Sequence, residues 1–86
     1  MINEKDNYLA WVQLIDELDE AKEHLEEMTK KMNESSDYDE AYFSVDLGHV
    51  YAHLNRAWNG RFSEKGLVYE DWDEINKFPT DIEPVG

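Results

Sequence analysis

Apolar side chains recur every three or four positions along the first third of the chain, and charged side chains fill the positions between them. The repeat has one set of positions at Trp11, Leu18, Leu25 and Met32 and a second set at Leu14, Ala21 and Met28. This spacing places the apolar side chains in one stripe of an α-helix. The pattern therefore predicts a long amphipathic helix over about 6–32.

A second helical pattern follows a short polar break. Ser36 and Asp39 have the spacing of a helix N-cap and an acidic first turn, and Asn59-Gly60 is typical of a helix C-terminus. The apolar stripe of this segment consists of Phe43, Leu47, Val50, Leu54 and Ala57. We therefore expect a second helix over about 37–59, packed antiparallel on the first as a helical hairpin.

The hairpin has a register that charge complementarity can test. A turn centred near residue 34 would place three complementary pairs side by side: Glu17 with His53, His24 with Asp46, and Lys31 with Asp39. Exposed pairs of this kind contribute only about 0.2–1 kcal/mol each, so they select the register more than they stabilise the fold.

The far side of the second helix carries a stripe of small side chains, which we call the small-residue stripe. It comprises Ala41, Val45, Gly48 and Ala52, flanked by Tyr42 and His49. A glycine inside a helix costs about 1 kcal/mol relative to alanine, so Gly48 indicates that another chain segment approaches closely. We predict that these residues form a self-association surface and that the protein is a homodimer.

Aromatic and aliphatic residues return near the C-terminus, and Phe78-Pro79 ends any helix there. We expect a short third helix or a folded-back segment near 68–78. The predicted fold class is therefore all-α. This segment covers the second helix either within one chain or by exchange with a second copy. The whole chain, 1–86, is then predicted to be one small helical domain with frayed ends.

Charge narrows the range of partners. The 86 residues include 8 Lys plus Arg and 21 Asp plus Glu, a net charge of −13. Like-charge repulsion therefore argues against direct binding to nucleic acid or to an anionic membrane. The absence of cysteine excludes disulfides and thiolate sites, and the first residues lack a signal-peptide pattern. We expect a cytoplasmic protein.

The acidic residues fall mainly on the outer side of the first helix and near the C-terminus. We call the following set the acidic face: Asp16, Glu20, Glu23, Glu27, Glu70, Asp71, Asp73 and Glu74. Arg56, Arg61 and Lys65 form a basic cluster after the second helix. Complementary charge steers association. We predict a non-enzymatic interaction module that binds a basic protein surface. An inhibitor or a nucleic-acid mimic, of the kind that phages and mobile elements use, would be a module of this type.

Metal binding is one alternative. His49 and His53 lie four positions apart on a helix, a spacing that lets both imidazoles reach one ion, with Glu17 or Glu20 as a further ligand. Val50 stands where the zinc metalloproteases have their catalytic glutamate. We favour a simple pairing of His53 with Glu17, and expect no metal and no cofactor.

A second alternative is a metal-dependent enzyme. Glu17-x-x-Glu20 and Glu34-x-x-Asp37 resemble the ExxE and ExxD pattern of the all-helical MazG-type nucleotide pyrophosphatases. The resemblance implies that these side chains bind magnesium for the hydrolysis of nucleoside triphosphates. It covers four positions, and Glu34 falls in the predicted turn. We therefore assign no catalytic residue.

Overall fold

The computed structural model describes the backbone of all 86 residues and every side chain except that of Tyr69. It contains three helices, α1 (Tyr8–Glu34), α2 (Glu40–Asn59) and α3 (Trp72–Asn76), with a 3₁₀ turn at Tyr69–Asp71 directly before α3. α1 and α2 pack against each other as a long antiparallel hairpin. The all-helical architecture predicted from the hydrophobic pattern is confirmed.

The connection between α1 and α2 differs from the prediction. Asp39, rather than Ser36, is the N-cap of α2: its backbone is extended and its carboxylate accepts a hydrogen bond from the Tyr42 N–H at 3.1 Å. Ser35 caps the preceding turn, where its hydroxyl oxygen accepts a hydrogen bond from the Asp37 N–H at 3.2 Å. α2 therefore begins at Glu40 rather than near 37.

This later start changes the register of the hairpin. Glu17 lies 2.7 Å from His53, as predicted, but Lys31 pairs with Asp46 at 3.9 Å rather than with Asp39. His24 contacts two histidine rings instead of Asp46. The difference arises because the connection between the helices is centred near residue 37 instead of 34, so that Lys31 and His24, towards the turn, meet later residues of α2 than predicted.

The hydrophobic core is small. Ala21, Met28 and Val50 form one buried cluster, with Leu47 packed against it. The predicted core also included Leu18, Leu25, Met32, Phe43 and Leu54, and all of these are exposed. The line of α1 that faces α2 passes through Ala21 and Met28 and includes Glu17 and His24. One neighbouring helix covers only part of a broad apolar stripe, so the rest of the stripe is left open.

The segment after α2 folds back onto α1. Gly60 has φ −91°, so it does not adopt the left-handed conformation that Asn59-Gly60 suggested. Its lack of a side chain is needed for packing, because an added Cβ would lie 2.6 Å from Leu67 Cδ2. The left-handed position is Gly66, with φ +81°. The next residue, Leu67, donates its N–H to Gln13 Oε1 at 2.9 Å.

Asparagine side chains fix α3 to the last turns of α2. Asn55 donates to the Asn76 carbonyl at 2.9 Å, and Asn59 donates to the carbonyls of Ile75 and Lys77, both at 2.8 Å. These bonds satisfy carbonyl groups at the C-terminal end of a short helix, where no intrahelical partner exists. The orientation of α3 is therefore set by side chains of α2 rather than by its own few residues.

The chain beyond α3 continues along α2 and contacts its Tyr51 and Trp58. Phe78 packs edge-on against Tyr51, with ring centroids 5.1 Å apart. Asp81 accepts hydrogen bonds from Trp58 Nε1 at 2.8 Å and from Arg61 Nη2 at 3.1 Å. The C-terminal segment thus covers the end of α2.

The molecule is extended for its size. Its radius of gyration is 14.8 Å, whereas a compact chain of this length has roughly 12 Å. Its accessible surface is 6768 Å², against roughly 5,300 Å² expected for a compact monomer of this mass. In the described part of the chain, none of the helices combines the length and the apolar character needed to cross a membrane.

Candidate functional site

The two long helices form a layer with one apolar and one polar side. We call the apolar side the apolar face; it comprises Leu14, Leu18, Leu25 and Met32 of α1 and Phe43, Leu47, Tyr51 and Leu54 of α2. Within each helix, successive members of this set are three, four or seven positions apart, so they share one side of the helix. All of them are exposed or half-buried.

A groove of about 730 Å³ lies at one end of the apolar face. It is lined by Leu14 and Leu18 of α1, by Tyr51 and Leu54 of α2, and by the segment around Phe78. Because hydrocarbon and aromatic side chains line most of this groove, it is suited to apolar surface rather than to a charged ligand.

The opposite side of the layer contains a buried network of charged side chains. Arg56 Nε donates to Glu17 Oε1 at 3.0 Å, and the other carboxylate oxygen lies 2.7 Å from His53 Nδ1. Arg56 also donates to Asn76 Oδ1 at 2.7 Å, and its guanidinium lies 4.6 Å from the centre of the Trp72 ring. The network therefore joins α1, α2 and α3.

All three histidines of the chain lie together on this polar side. The His24 ring is 5.2 Å from the His49 ring and 5.1 Å from the His53 ring, measured between centroids. Glu20, one turn before His24, completes a group in which one ligand atom each of Glu20, His24 and His53 lies within 4.8 Å of the others. We call these four residues the histidine cluster.

His24 is the residue of this cluster that the sequence prediction did not include. Two signals in the sequence point to it: Glu20 and His24 are separated by four positions, as are His49 and His53. Two such pairs on antiparallel helices meet only when the register places them side by side. The predicted register placed His24 beside Asp46 instead.

The predicted acidic face is exposed along its whole length. Glu20, Glu23 and Glu27 lie on successive turns of α1 with Asp16, and the other acidic residues lie immediately before or within α3. Trp72 of α3 lines a small hollow together with Asp16 and Glu17. The acidic residues of α3 therefore lie near the first half of α1.

The predicted basic cluster is largely used within the fold. Arg56 is buried beside Glu17, and Arg61 pairs with Asp81. The Arg61 guanidinium also lies 3.7 Å from the centre of the Trp58 ring. These two arginines are therefore not available as a surface patch, because their charges are already paired with carboxylates.

The small-residue stripe lies on the outer side of α2. Tyr42, Val45, Gly48 and His49 are exposed, and nothing lies within 4 Å of a Cβ added at Gly48. The C-terminal segment contacts later residues of α2 instead. Self-association through this stripe stays a prediction, and the apolar face described above is the alternative surface for the same role.

The two acidic pairs that resemble the pyrophosphatase pattern lie far apart: Glu17 and Glu20 are in the first half of α1, whereas Glu34 ends α1 and Asp37 lies in the connection to α2. Glu17 and Glu34 are on the same helix, and a rise of 1.5 Å per residue separates them by roughly 25 Å. Glu17 is also engaged by Arg56 and His53. Within one chain these carboxylates do not share a magnesium ion.

In comparisons with known proteins, the chain matches no family model, no curated protein and no solved structure.

Proposed function

We propose that this protein is a non-enzymatic, self-associating interaction module. Two copies pack their apolar faces together as a four-helix bundle, and each copy presents its acidic face to a basic protein partner. The observation that carries the proposal is the separation of the two surfaces. Apolar side chains occupy one side of the α1–α2 layer, and the acidic residues of α1 occupy the other.

The apolar face requires a cover. Leu18, Leu25 and Met32 are 44%, 43% and 47% exposed, and no large side chain among the described residues is fully buried. A layer of helices is stable when its apolar side packs against a second layer. A single hairpin with a core of this size does not supply that layer.

The excess surface has the size that a dimer removes. The chain exposes 6768 Å², roughly 1,400 Å² more than a compact monomer of its mass. A standard interface buries about 800 Å² per partner. Packing on the apolar face would therefore remove much of the excess.

A second copy of this chain is the occupant that fits this face. In a two-fold dimer the same surface of each partner meets itself, so the long apolar stripe of one hairpin would meet an equally long stripe. Two antiparallel hairpins packed in this way form a four-helix bundle. The groove beside Leu18 and Leu54 would receive side chains of the second copy.

This arrangement leaves the acidic face exposed on both outer sides of the dimer. The paired cations nearby neutralise little of it: Arg56 is paired with Glu17, which lies outside the acidic face, and Lys77 neutralises Glu74 alone, at 2.8 Å. Exposed negative charge accelerates association with a basic surface, and added salt weakens this effect by screening the charges.

Two triple variants with equal charge test the acidic face. Asp16→Asn, Glu23→Gln and Glu27→Gln neutralise the face, whereas Glu4→Gln, Glu34→Gln and Glu64→Gln remove the same charge from exposed positions outside it. The measurement is cross-linked capture from a host lysate at low salt. We expect the wild type and the control variant to recover the same basic proteins, and the face variant to lose them. Equal recovery by both variants would contradict this part of the proposal.

A further inference from the structure

We propose that Glu20, His24, His49 and His53 bind one divalent transition-metal ion of the zinc type between α1 and α2. Glu20 also belongs to the acidic face, but this inference does not rest on the proposed function, because it is argued from the positions of the four side chains alone. It rests on the convergence of every histidine of the chain on one place, beside an exposed carboxylate.

The backbone supplies two matched pairs of ligands. Glu20 and His24 are one turn apart on α1, and His49 and His53 are one turn apart on α2. Side chains four positions apart on a helix project in the same direction, and zinc sites on helices use this spacing. Two such pairs on adjacent helices supply four ligands, the number that zinc takes in structural sites.

The distances are close to those of a bound ion. One ligand atom from each of Glu20, His24 and His53 already lies within 4.8 Å of the others. In a tetrahedral site with zinc–nitrogen bonds near 2.0 Å, ligand atoms are about 3.3 Å apart. Glu20 is exposed, so its side chain is free to rotate towards the two half-buried histidines. His49 is exposed and its ring adjoins that of His24, so it can supply the fourth ligand.

The network behind the cluster orients His53. Its Nδ1 atom lies 2.7 Å from Glu17 Oε2 and 2.8 Å from Arg56 Nη2, so that nitrogen is engaged within the protein. The Nε2 atom is then the one that faces a metal. A carboxylate on the far nitrogen of a ligating histidine is the usual arrangement in zinc sites, where it fixes the ring and raises its basicity.

The donor set determines the class of ion. Imidazole nitrogens favour zinc, copper, nickel and cobalt, whereas magnesium and calcium prefer sites composed of oxygen. Three neutral imidazoles and one carboxylate supply the nitrogen and oxygen donors that a zinc ion accepts.

Glu20→Gln and Glu23→Gln form a matched pair for the test, since both remove one exposed carboxylate of α1 and only Glu20 belongs to the cluster. Zinc chloride is titrated into untagged protein at neutral pH and followed by calorimetry. We expect one ion per chain, with the affinity lowered at least tenfold by Glu20→Gln and unchanged by Glu23→Gln. His24→Ala should abolish binding, with circular dichroism confirming that it still folds.

Two further readouts distinguish the cluster from general binding to an acidic surface. Cobalt should give the intense visible absorption of a tetrahedral nitrogen site, and magnesium should not compete. Binding should also weaken at acid pH, because protons compete with the metal ion for the imidazole nitrogens. Equal loss of affinity in the two glutamine variants, one ion per two chains, or no saturable zinc binding would overturn the proposal.

Discussion

Glu17 and Arg56 form an ion pair between α1 and α2 whose side chains are only 14% and 9% exposed. Removing one partner leaves the other charge buried without compensation. We expect Arg56→Met to lower the free energy of unfolding by about 3 kcal/mol. Urea unfolding at fixed protein concentration measures the loss.

The double variant Glu17→Leu with Arg56→Met provides the control. Replacing both charges with apolar groups removes the buried unpaired charge, so the double variant should be more stable than Arg56→Met alone. A double variant that is less stable than the single would show that Glu17 stabilises the fold without Arg56, through its contact with His53.

Tyr38 donates a hydrogen bond from its hydroxyl group to Asp46 Oδ2 at 2.7 Å. Desolvation and this bond to a carboxylate raise the pKa of Tyr38 to about 12. Because the pKa is higher in the folded state, the stabilisation is complete below pH 10.0 and is lost as the pH rises towards 12. Urea midpoints across this range should fall for the wild type more than for Tyr38→Phe.

Tyr42→Phe is the matched control for this measurement, because the Tyr42 ring stacks on Tyr38 and is exposed. It should keep the pH dependence of the wild type. If Tyr38→Phe also keeps it, the bond to Asp46 does not form in solution.

Asp81 attaches the C-terminal segment to α2. Hydrogen bonds from Trp58 and then from Arg61 lower the pKa of Asp81 below its ordinary value of 3.8. A lowered pKa means that the attachment is present above that pH and is lost as the pH falls through the folded-state pKa. We therefore expect the Trp58 indole N–H signal in nuclear magnetic resonance spectra to shift towards its unattached position below about pH 4.

Asp81→Asn should move the Trp58 signal towards the same position at neutral pH. Asp19→Asn, an exposed change on α1, should leave it in place. An unmoved signal in Asp81→Asn would mean that Trp58 is not bound by this carboxylate.

The hydrophobic spacing was sufficient to predict two long helices and a short third one, because helical periodicity depends on local sequence. The register was not predictable in the same way. It depends on where α2 begins, and Asp39 caps α2 in place of Ser36. A few residues of difference in the connection then changed the partners of His24 and Lys31.

The dependence on register also explains which candidate sites could be predicted from the sequence. The acidic residues of α1 could be identified from sequence, since their exposure follows from their side of the helix. The histidine cluster needed the register, because His24 meets His49 and His53 only in the observed pairing. The exposure of the apolar face could not be predicted from sequence, for another reason. The heptad pattern identifies apolar positions, but it does not say whether α2 or a second copy covers them.

Sedimentation equilibrium tests the central claim most directly, with Leu25→Glu on the apolar face and Val45→Glu on the small-residue stripe as a matched pair. Leu25 is 43% exposed and Val45 is 59% exposed, so each change adds one charge at a site that is open in the single chain. Circular dichroism records whether each variant remains helical.

We predict that the wild type and Val45→Glu sediment with twice the 10.2 kDa mass of the chain. Leu25→Glu should sediment as a monomer with reduced helicity, because its apolar face has lost its cover. A wild type that is a folded monomer at high concentration would contradict the account. So would a dimer that Val45→Glu dissociates and Leu25→Glu does not, since the small-residue stripe would then be the interface.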